Sequence, residues 1–105
     1  MPPLRVTYPT AMVLLALSRG FRYGFEIMDA TGLASGTVYP ILRRLESARM
    51  LSARWESART ARDDQRPPRR YYQITGAGRE ALRDAETRFH GLARMLAPGV
   101  TPSPA

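Results

Sequence analysis

Arginine is the residue type in this sequence with the clearest capacity for chemistry. The chain of 105 residues carries 16 basic residues against nine acidic ones, a formal net charge of +7, and all 16 are arginine. A guanidinium group is a planar fork of donors that binds a phosphate or a guanine edge through two parallel hydrogen bonds. A coding bias toward arginine codons would give the same composition, so both explanations stay open. The positive charge still favours a polyanionic partner, of which nucleic acid is the commonest.

Residues for catalysis or metal binding are missing from the sequence. There is no cysteine, which excludes disulfides and thiolate metal sites, and His90 is the single histidine. We find no carboxylate pair, no Ser/His/Asp set and no glycine-rich phosphate loop. The sequence therefore predicts a protein that is not an enzyme and that takes no metal and no cofactor.

The N-terminal segment MPPLRVTYPT has none of the features of a secretion signal. It lacks a cationic start, a long apolar run and a small-residue cleavage site. The longest apolar run, residues 11–17, is too short to cross a bilayer. We therefore expect a cytoplasmic protein with no membrane partner.

The hydrophobic pattern and the turn residues predict a mainly α fold with a small β-hairpin (α+β). The predicted elements are an N-terminal arm (1–9), three helices (10–19, 23–31, 35–48), two strands (51–56, 70–74), a last helix (76–96) and a disordered tail (98–105). The polar residues 57–69 between the strands predict a long, mobile hairpin tip. This order is that of a winged helix-turn-helix domain over residues 10–75, with a C-terminal dimerisation helix over residues 76–97. In that architecture the third helix enters the DNA major groove, and the hairpin, or wing, lies along the flanking backbone.

The outward face of the third predicted helix carries side chains suited to DNA contact. Val38, Leu42 and Leu45 follow an i, i+4, i+7 stripe that predicts the core side of this helix. The opposite side carries Gly36, Thr37, Tyr39, Pro40, Arg43, Arg44 and Ser47. We expect Ser35 or Thr37 to cap the helix, Gly36 to allow close approach, and Arg43 to reach a base edge or a phosphate. A solvated helix face with ordinary surface arginines is the alternative.

The segment between the strands is the most basic stretch of the chain. Five arginines fall within residues 57–70, against Asp63 and Asp64. These arginines are Arg59, Arg62, Arg66, Arg69 and Arg70. A segment this polar is not expected in a core, so a DNA-contacting wing is favoured over a generic solvated loop.

Several further side chains are interpreted as structural. Trp55 is expected to pack where the wing joins the core, and the aromatic residues Phe21, Tyr23 and Phe25 are expected to lie in the core. Glu26 and Asp29 are expected on a solvated face of the second helix.

The last predicted helix carries a seam for packing against another helix. Its apolar residues step by three and four: Leu82, Ala85, Phe89, Leu92 and Leu96. This is the a/d spacing of helices that pair along their length, so we expect these residues to form a homodimer interface.

Two segments of the sequence strongly resemble the PadR family of transcriptional regulators. They are YGFEIMDATGLASGTVYPILRRLESARML (23–51) and RRYYQIT (69–75), and the similarity extends over most of residues 10–80. The resemblance implies a dimeric winged helix that binds double-stranded DNA, usually a repressor, in a family without enzymes. Because several members bind planar aromatic or phenolic compounds near the dimer interface, it also implies a small aromatic effector as a candidate partner.

Carried over residue by residue, the resemblance implies contacts at named positions. The implied DNA contacts are Ser35, Gly36, Thr37, Tyr39, Pro40, Arg43, Arg66, Arg69 and Arg70. The implied dimer contacts are Leu82, Phe89, Leu92 and Leu96.

The sequence departs from the family pattern in three places. The second helix is short, Arg49-Met50 stands where a glycine and an aliphatic residue are common, and the wing tip is longer than usual. Only one helix follows the wing, as in the smaller branch of the family.

Two further hypotheses remain open. One is a winged-helix module that docks an acidic protein, and the other is a small-molecule-binding dimer in which Trp55 stacks on an aromatic effector.

Overall fold

The computed structural model describes residues 5–102, and its elements follow the predicted order. They are α1 (Tyr8–Ser18), α2 (Gly24–Thr31), α3 (Ser35–Ser47), β1 (Leu51–Trp55), α4 (Ala58–Asp63), β2 (Arg70–Ile74), α5 (Gly76–Arg88) and a 3-10 turn (Leu92–Met95). The fold is mainly helical with one two-stranded antiparallel sheet, which confirms the predicted fold class. Among residues 5–102, none of the helices has the length and apolar character that crossing a membrane requires.

Helix α1 lies at the centre of the core because its sequence is apolar on every side. Residues 11–17 are all buried, and the helix contacts α2, α3, β2 and α5. Pro9 stands in the first turn, where a missing backbone N–H leaves no helical hydrogen bond unmade. The helix begins at Tyr8, two residues before the predicted start. The rest of the domain is therefore arranged around α1.

Helices α2 and α3 form the predicted helix-turn-helix. Gly32 ends α2 in the left-handed conformation (φ 75°), and its N–H donates to the Met28 carbonyl at 2.8 Å. In α3, the predicted stripe of Val38, Leu42 and Leu45 is fully buried. The opposite side of α3 is thereby turned toward solvent.

The two strands pair in the register that their alternation predicts. Leu51 lies opposite Ile74, Ala53 opposite Tyr72, and Trp55 opposite Arg70. The Leu51–Ile74 pair is buried at the end of the sheet next to the core, and the other end projects from the domain. We call residues 51–74 the wing and residues 57–69 the wing tip.

The wing tip contains a short helix, so it is not the irregular loop that the sequence predicts. It contains α4, whose N-cap residue Ser57 accepts a hydrogen bond from the Thr60 N–H at 3.1 Å. Ala61 on this helix is buried. A six-residue helix gives too little periodicity to be recognised in a polar sequence, and its stability comes from the cap and from contacts made by Glu56.

The last helix is shorter than predicted. It ends at Arg88, and Gly91 adopts a left-handed conformation (φ 78°) before the 3-10 turn begins. The chain then passes α2, where the Ala97 N–H donates to the Ala30 carbonyl at 2.7 Å. The glycine therefore redirects the apolar residues that follow it toward the core of the same chain.

The start of α5 is held by a close backbone approach. Thr75 caps the helix by accepting a hydrogen bond from the Gly78 N–H at 3.2 Å. A Cβ at Gly78 would overlap the Met50 carbonyl oxygen, so glycine is required there.

Residues 1–4 of the predicted arm and 103–105 of the predicted tail lie outside the described residues.

Candidate nucleic-acid interface

The first turns of α3 present an exposed surface that the fold leaves without internal partners. Ser35, Gly36 and Arg43 are exposed, and Thr37 is half-buried. The N-cap residue is Ala34 and makes no side-chain cap, so the expectation that Ser35 or Thr37 would cap this helix is wrong. Within residues 5–102 neither hydroxyl makes a hydrogen bond to another protein group, and both are free to bind a ligand.

Gly36 and Pro40 act together on the same side of α3. A Cβ at Gly36 would meet no atom within 4 Å, so the space above it is open. Pro40 lies inside the helix and has no N–H to donate to the Gly36 carbonyl. The helix passes through this position without interruption. Its exposed side therefore offers an unobstructed strip of backbone at Gly36.

Tyr39 is held in place by the neighbouring helix. A Cβ at Gly24, the first residue of α2, would overlap the Tyr39 hydroxyl and ring. The glycine thus provides the space that the tyrosine ring occupies. The Tyr39 hydroxyl is positioned at the junction of α2 and α3 rather than moving freely in solvent.

The two arginines on the exposed side of α3 have no acidic partner. Arg43 and Arg44 are both exposed, and neither makes an ion pair within residues 5–102. An exposed, unpaired guanidinium group on a helix face can bind a phosphate or a base edge without first breaking an internal contact. Arg44 extends the predicted set by one residue.

The wing tip is organised around Glu56, a residue that the sequence analysis did not select. Both of its oxygens accept hydrogen bonds from the Arg66 guanidinium, one of them at 2.8 Å, and its side chain is only 6% exposed. It also accepts from the Tyr71 hydroxyl at 2.8 Å and from the Arg69 N–H at 3.3 Å. Four donors on one carboxylate make it the anchor of the tip.

These contacts change the acid strength of Glu56. The Arg66 hydrogen bonds, together with those from Tyr71 and Arg69, lower the pKa of Glu56 from its usual 4.5 to about 2, although burial acts in the opposite direction. The same ion pair raises the pKa of Arg66 above its usual value. The only signal in the sequence was a glutamate at the end of an alternating strand, which is too weak to reveal such a site.

The structure places the three wing arginines of the predicted DNA contacts in different surroundings. Arg66 is bound to Glu56 and to Asp64 (3.0 Å), and its side chain is 21% exposed. Arg70 donates to Glu46 of α3 at 3.1 Å. Arg69 has no ion pair within residues 5–102, and its guanidinium lies over the Tyr23 ring at 4.1 Å. Arg66 is thus occupied inside the wing, whereas Arg69 remains available.

Three residues expected to be structural or solvated have different environments. Trp55 is 64% exposed, with the Arg70 guanidinium 5.1 Å from its ring, and Phe25 is 69% exposed. Both expectations of core packing are wrong. Glu26 is buried and accepts a hydrogen bond from the Arg22 N–H at 2.9 Å, so its expected place on a solvated face is also wrong.

The predicted dimer seam is mostly covered within one chain. Leu82, Ala85 and Leu92 are buried in the core, while Phe89 and Leu96 are half-buried and pack against it. The Phe89 ring makes an edge contact with Tyr8, with ring centroids 5.3 Å apart. Because α5 ends before Phe89, the five residues do not form one helical stripe, and they pack in or against the core of their own chain.

No group of three or more histidine, cysteine or carboxylate side chains within residues 5–102 is arranged to hold a metal ion. The surface formed by α3 and the wing instead presents hydroxyl groups, aromatic rings and guanidinium groups.

Comparison with known proteins identifies relatives of this chain. A sequence profile described as the transcriptional regulator PadR-like family matches residues 13–84. No curated protein sequence matches significantly.

Several solved structures are similar to this chain. A PadR-like transcription factor from Bacteroides fragilis is 31% identical, with a TM-score of 0.63 and coverage of 81% of this chain and 82% of that one. A PadR family regulator from Eggerthella lenta is 30% identical, with a TM-score of 0.61 and coverage of 83% and 79%. A PadR family regulator from Clostridium difficile has a TM-score of 0.69 and coverage of 84% and 93%, but at 22% identity it supports the fold alone.

Proposed function

Because the chain belongs to the PadR-like family of transcriptional regulators, which bind DNA and are not enzymes, we propose that it is a sequence-specific repressor that binds a pseudo-palindromic operator as a homodimer. The observation that carries this proposal is the exposed side of α3, with open space above Gly36 and an unpaired Arg43. A regulator of chromosomal DNA works where that DNA lies, so we also propose a cytoplasmic location.

In this proposal α3 enters the major groove by its first turns. The hydroxyls of Ser35, Thr37 and Tyr39 donate hydrogen bonds to phosphates. The Thr37 methyl group or the Tyr39 ring makes apolar contact with a thymine methyl, and Pro40 lies against the DNA backbone. Arg43 supplies the base-edge contact. Arg69 and Arg70, at the end of the wing sheet, bind the flanking backbone, with Arg66 holding the tip in shape beside them.

The homodimer is proposed to form through the C-terminal segment. Leu82, Ala85 and Leu92 contribute by fixing α5 and the 3-10 turn on α1. Phe89 and Leu96 are half-buried, and Met95, next to Leu96 in the chain, is 48% exposed. This apolar surface supports pairing of two chains, which would set two α3 helices about one DNA turn apart, ~34–36 Å.

A selection of bound duplexes from random DNA at physiological salt, combined with a mass measurement in solution, tests the proposal. We expect a dimer that enriches an inverted repeat. A dimer that enriches no sequence would favour a module that docks an acidic protein. A monomer that enriches single half-sites would contradict the homodimer.

A further inference from the structure

A groove of about 420 Å³ lies along the face of the wing sheet that points away from α3. The α3 side of the sheet is marked by Arg70, which donates to Glu46 of that helix. Because side chains alternate between the two faces of a strand, the opposite face carries Ser52, Arg54, Tyr71 and Gln73. The end of α1, the turn before α2 and the first turn of α5 complete the walls. The volume is within the range of sites that hold small ligands.

Three arginines from separate parts of the chain line this groove. They are Arg22 before α2, Arg54 on β1 and Arg79 on α5. None of them makes an ion pair within residues 5–102, and among those residues no acidic side chain lines the groove. Positive charges gathered around one concave surface repel one another and raise its electrostatic potential. The groove therefore favours a ligand that carries several negative charges.

The ring of Tyr71 holds two of these charges beside each other. The guanidinium groups of Arg22 and Arg54 each lie 5.1 Å from the centroid of this ring, where its π electrons attract a cation. The ring itself is fixed, because the Tyr71 hydroxyl donates to the Glu56 carboxylate at 2.8 Å. The two like charges therefore lie no further apart than twice the distance from each of them to the ring centre.

The backbone of Arg22 is held at both of its polar groups. Its N–H donates to the Glu26 carboxylate at 2.9 Å, and its carbonyl accepts from the Tyr72 N–H at 2.7 Å. The side chain is half-buried and thus starts from a fixed point at the rim of the sheet. A residue that is already ordered loses less conformational freedom when a ligand binds, which favours affinity.

We propose that this groove binds the diphosphate group of a small phosphorylated molecule, with its phosphates on Arg22, Arg54 and Arg79. The planar fork of a guanidinium group matches two phosphate oxygens at once, and adjacent phosphates supply the several negative charges that the groove favours. Because the groove lies on the sheet face that points away from α3, the ligand is a free molecule and not the DNA that α3 is proposed to read. The site is complete within one chain and does not depend on the proposed function.

Calorimetric titration of the full chain with inorganic pyrophosphate, without DNA and at about 150 mM salt, tests the site. We expect saturable binding with one site per chain. Arg22→Gln and Arg54→Gln are each expected to lower the affinity about tenfold, because each removes a hydrogen-bonded charge pair. Sulfate carries fewer charges than pyrophosphate and should bind the unchanged chain about tenfold more weakly or less tightly still.

Two substitutions of Tyr71 test its role as a positioning residue. Tyr71→Leu removes the ring that holds the two guanidinium groups, so pyrophosphate should bind more weakly. Tyr71→Phe keeps the ring and should bind pyrophosphate almost as the unchanged chain does. Both variants lose the hydrogen bond to Glu56, so that loss cannot account for a difference between them. Equal weakening in both variants would contradict the positioning role of the ring.

Arg94→Gln is the matched control, since it removes one exposed positive charge that does not line the groove. Circular dichroism melts identify any variant that fails to fold, and Arg54 is exposed, so its variant is expected to melt like the unchanged chain. Absence of saturable pyrophosphate binding, or equal affinity of the Arg54 and Arg94 variants, overturns the site as the binding place of a free diphosphate.

Operator binding by the same variants separates a free ligand from DNA. We expect Arg54→Gln to change the affinity for a selected duplex no more than Arg94→Gln does. If pyrophosphate does not bind and Arg54→Gln alone weakens duplex binding, these arginines serve DNA and the proposed ligand is wrong. If pyrophosphate binds as expected and no duplex does, the site stands and the failure lies with the proposed function.

Discussion

The exposed side of α3 and the wing tip are both rich in arginine, but their arginines lie in different electrostatic surroundings. On α3, Arg43 and Arg44 are exposed and unpaired. In the wing, Arg66 is enclosed by Glu56 and Asp64. From residue 56 to residue 66, three carboxylates balance three guanidinium groups. The number of arginines in a segment therefore overstates the charge that it can offer to a phosphate.

The polar groups of the two regions have different roles. A buried apolar stripe fixes α3 on the core, so the polar groups on its exposed side are not needed for folding and are left for a partner. The wing tip has almost no apolar core, and its polar groups are needed to fold it. We expect α3 to supply specificity. We expect the wing to contribute mainly through Arg69 at the end of the sheet, because Arg70 is paired with Glu46.

Arg43→Glu is expected to give the largest effect. It removes a contact worth about 1–3 kcal/mol and places a negative charge against DNA, so affinity for the selected operator should fall roughly 100-fold. Fluorescence anisotropy with a labelled duplex measures the change. The control is Arg94→Glu, which changes the net charge equally at an exposed position on the 3-10 turn. Equal losses in the two variants would count against α3 as the reading element.

Gly36→Ala separates DNA contact from folding. The added Cβ meets nothing inside the protein, and alanine favours a helix over glycine by up to about 1 kcal/mol, so stability should rise. Operator affinity should fall about tenfold because the methyl group stands where the DNA backbone approaches. Thermal unfolding and anisotropy measure the two effects.

Gly78→Ala is the control for Gly36→Ala. Its added Cβ would overlap the Met50 carbonyl, so this variant should be less stable than the unchanged chain. A Gly36 variant that is more stable and binds DNA as before would show that the duplex does not come close to this strip of α3.

Glu56→Gln tests whether the wing tip depends on its ion pair. The amide cannot pair with the Arg66 charge, so α4 should open more often while the core stays closed. Hydrogen exchange should become faster for amides 58–66 and stay unchanged in α1 and α3. Glu80→Gln, at an exposed position on α5, is the control. Unaltered exchange in the tip would mean that the cap and Ala61 suffice to hold it.

Acid titration is expected to give the smallest effect, confined to the wing tip. The pKa of Glu56 is about 2 in the folded chain, against a usual 4.5, so the unfolded tip binds the proton more tightly. The stabilisation is therefore complete above pH 4.5 and is lost progressively as the pH falls toward 2. NMR chemical shifts of amides 58–63 should follow this titration, and the Glu56→Gln variant should lack it. A midpoint near 4.5 would contradict the enclosed ion pair.

Much of the fold is predictable because its signals are local. The stripe of α3, the alternation of β1 and β2, and the glycine that ends α2 each depend on neighbouring residues only. Their predicted bounds agree with the structure to within about one residue at most ends. The a/d spacing predicts a helix to residue 96, but α5 ends at Arg88 and Gly91 turns the chain.

The candidate site is less predictable because several of its features depend on distant residues. Glu56 became buried only because Arg66 and Tyr71 approach it from ten and fifteen positions along the chain. Trp55 and Phe25 are apolar, and hydrophobicity alone places such residues in the core. Their exposure reflects where the wing meets α2, which no local pattern encodes.

The sequence by itself determined the order of the elements, the buried stripe of α3 and the identity of its exposed residues, since periodicity decides which side of a helix is apolar. Only the tertiary structure decided which arginines remain available. Whether a guanidinium is free or paired depends on carboxylates that folding brings near it. It also decided that Leu92 turns onto the core of its own chain, because Gly91 redirects the chain there.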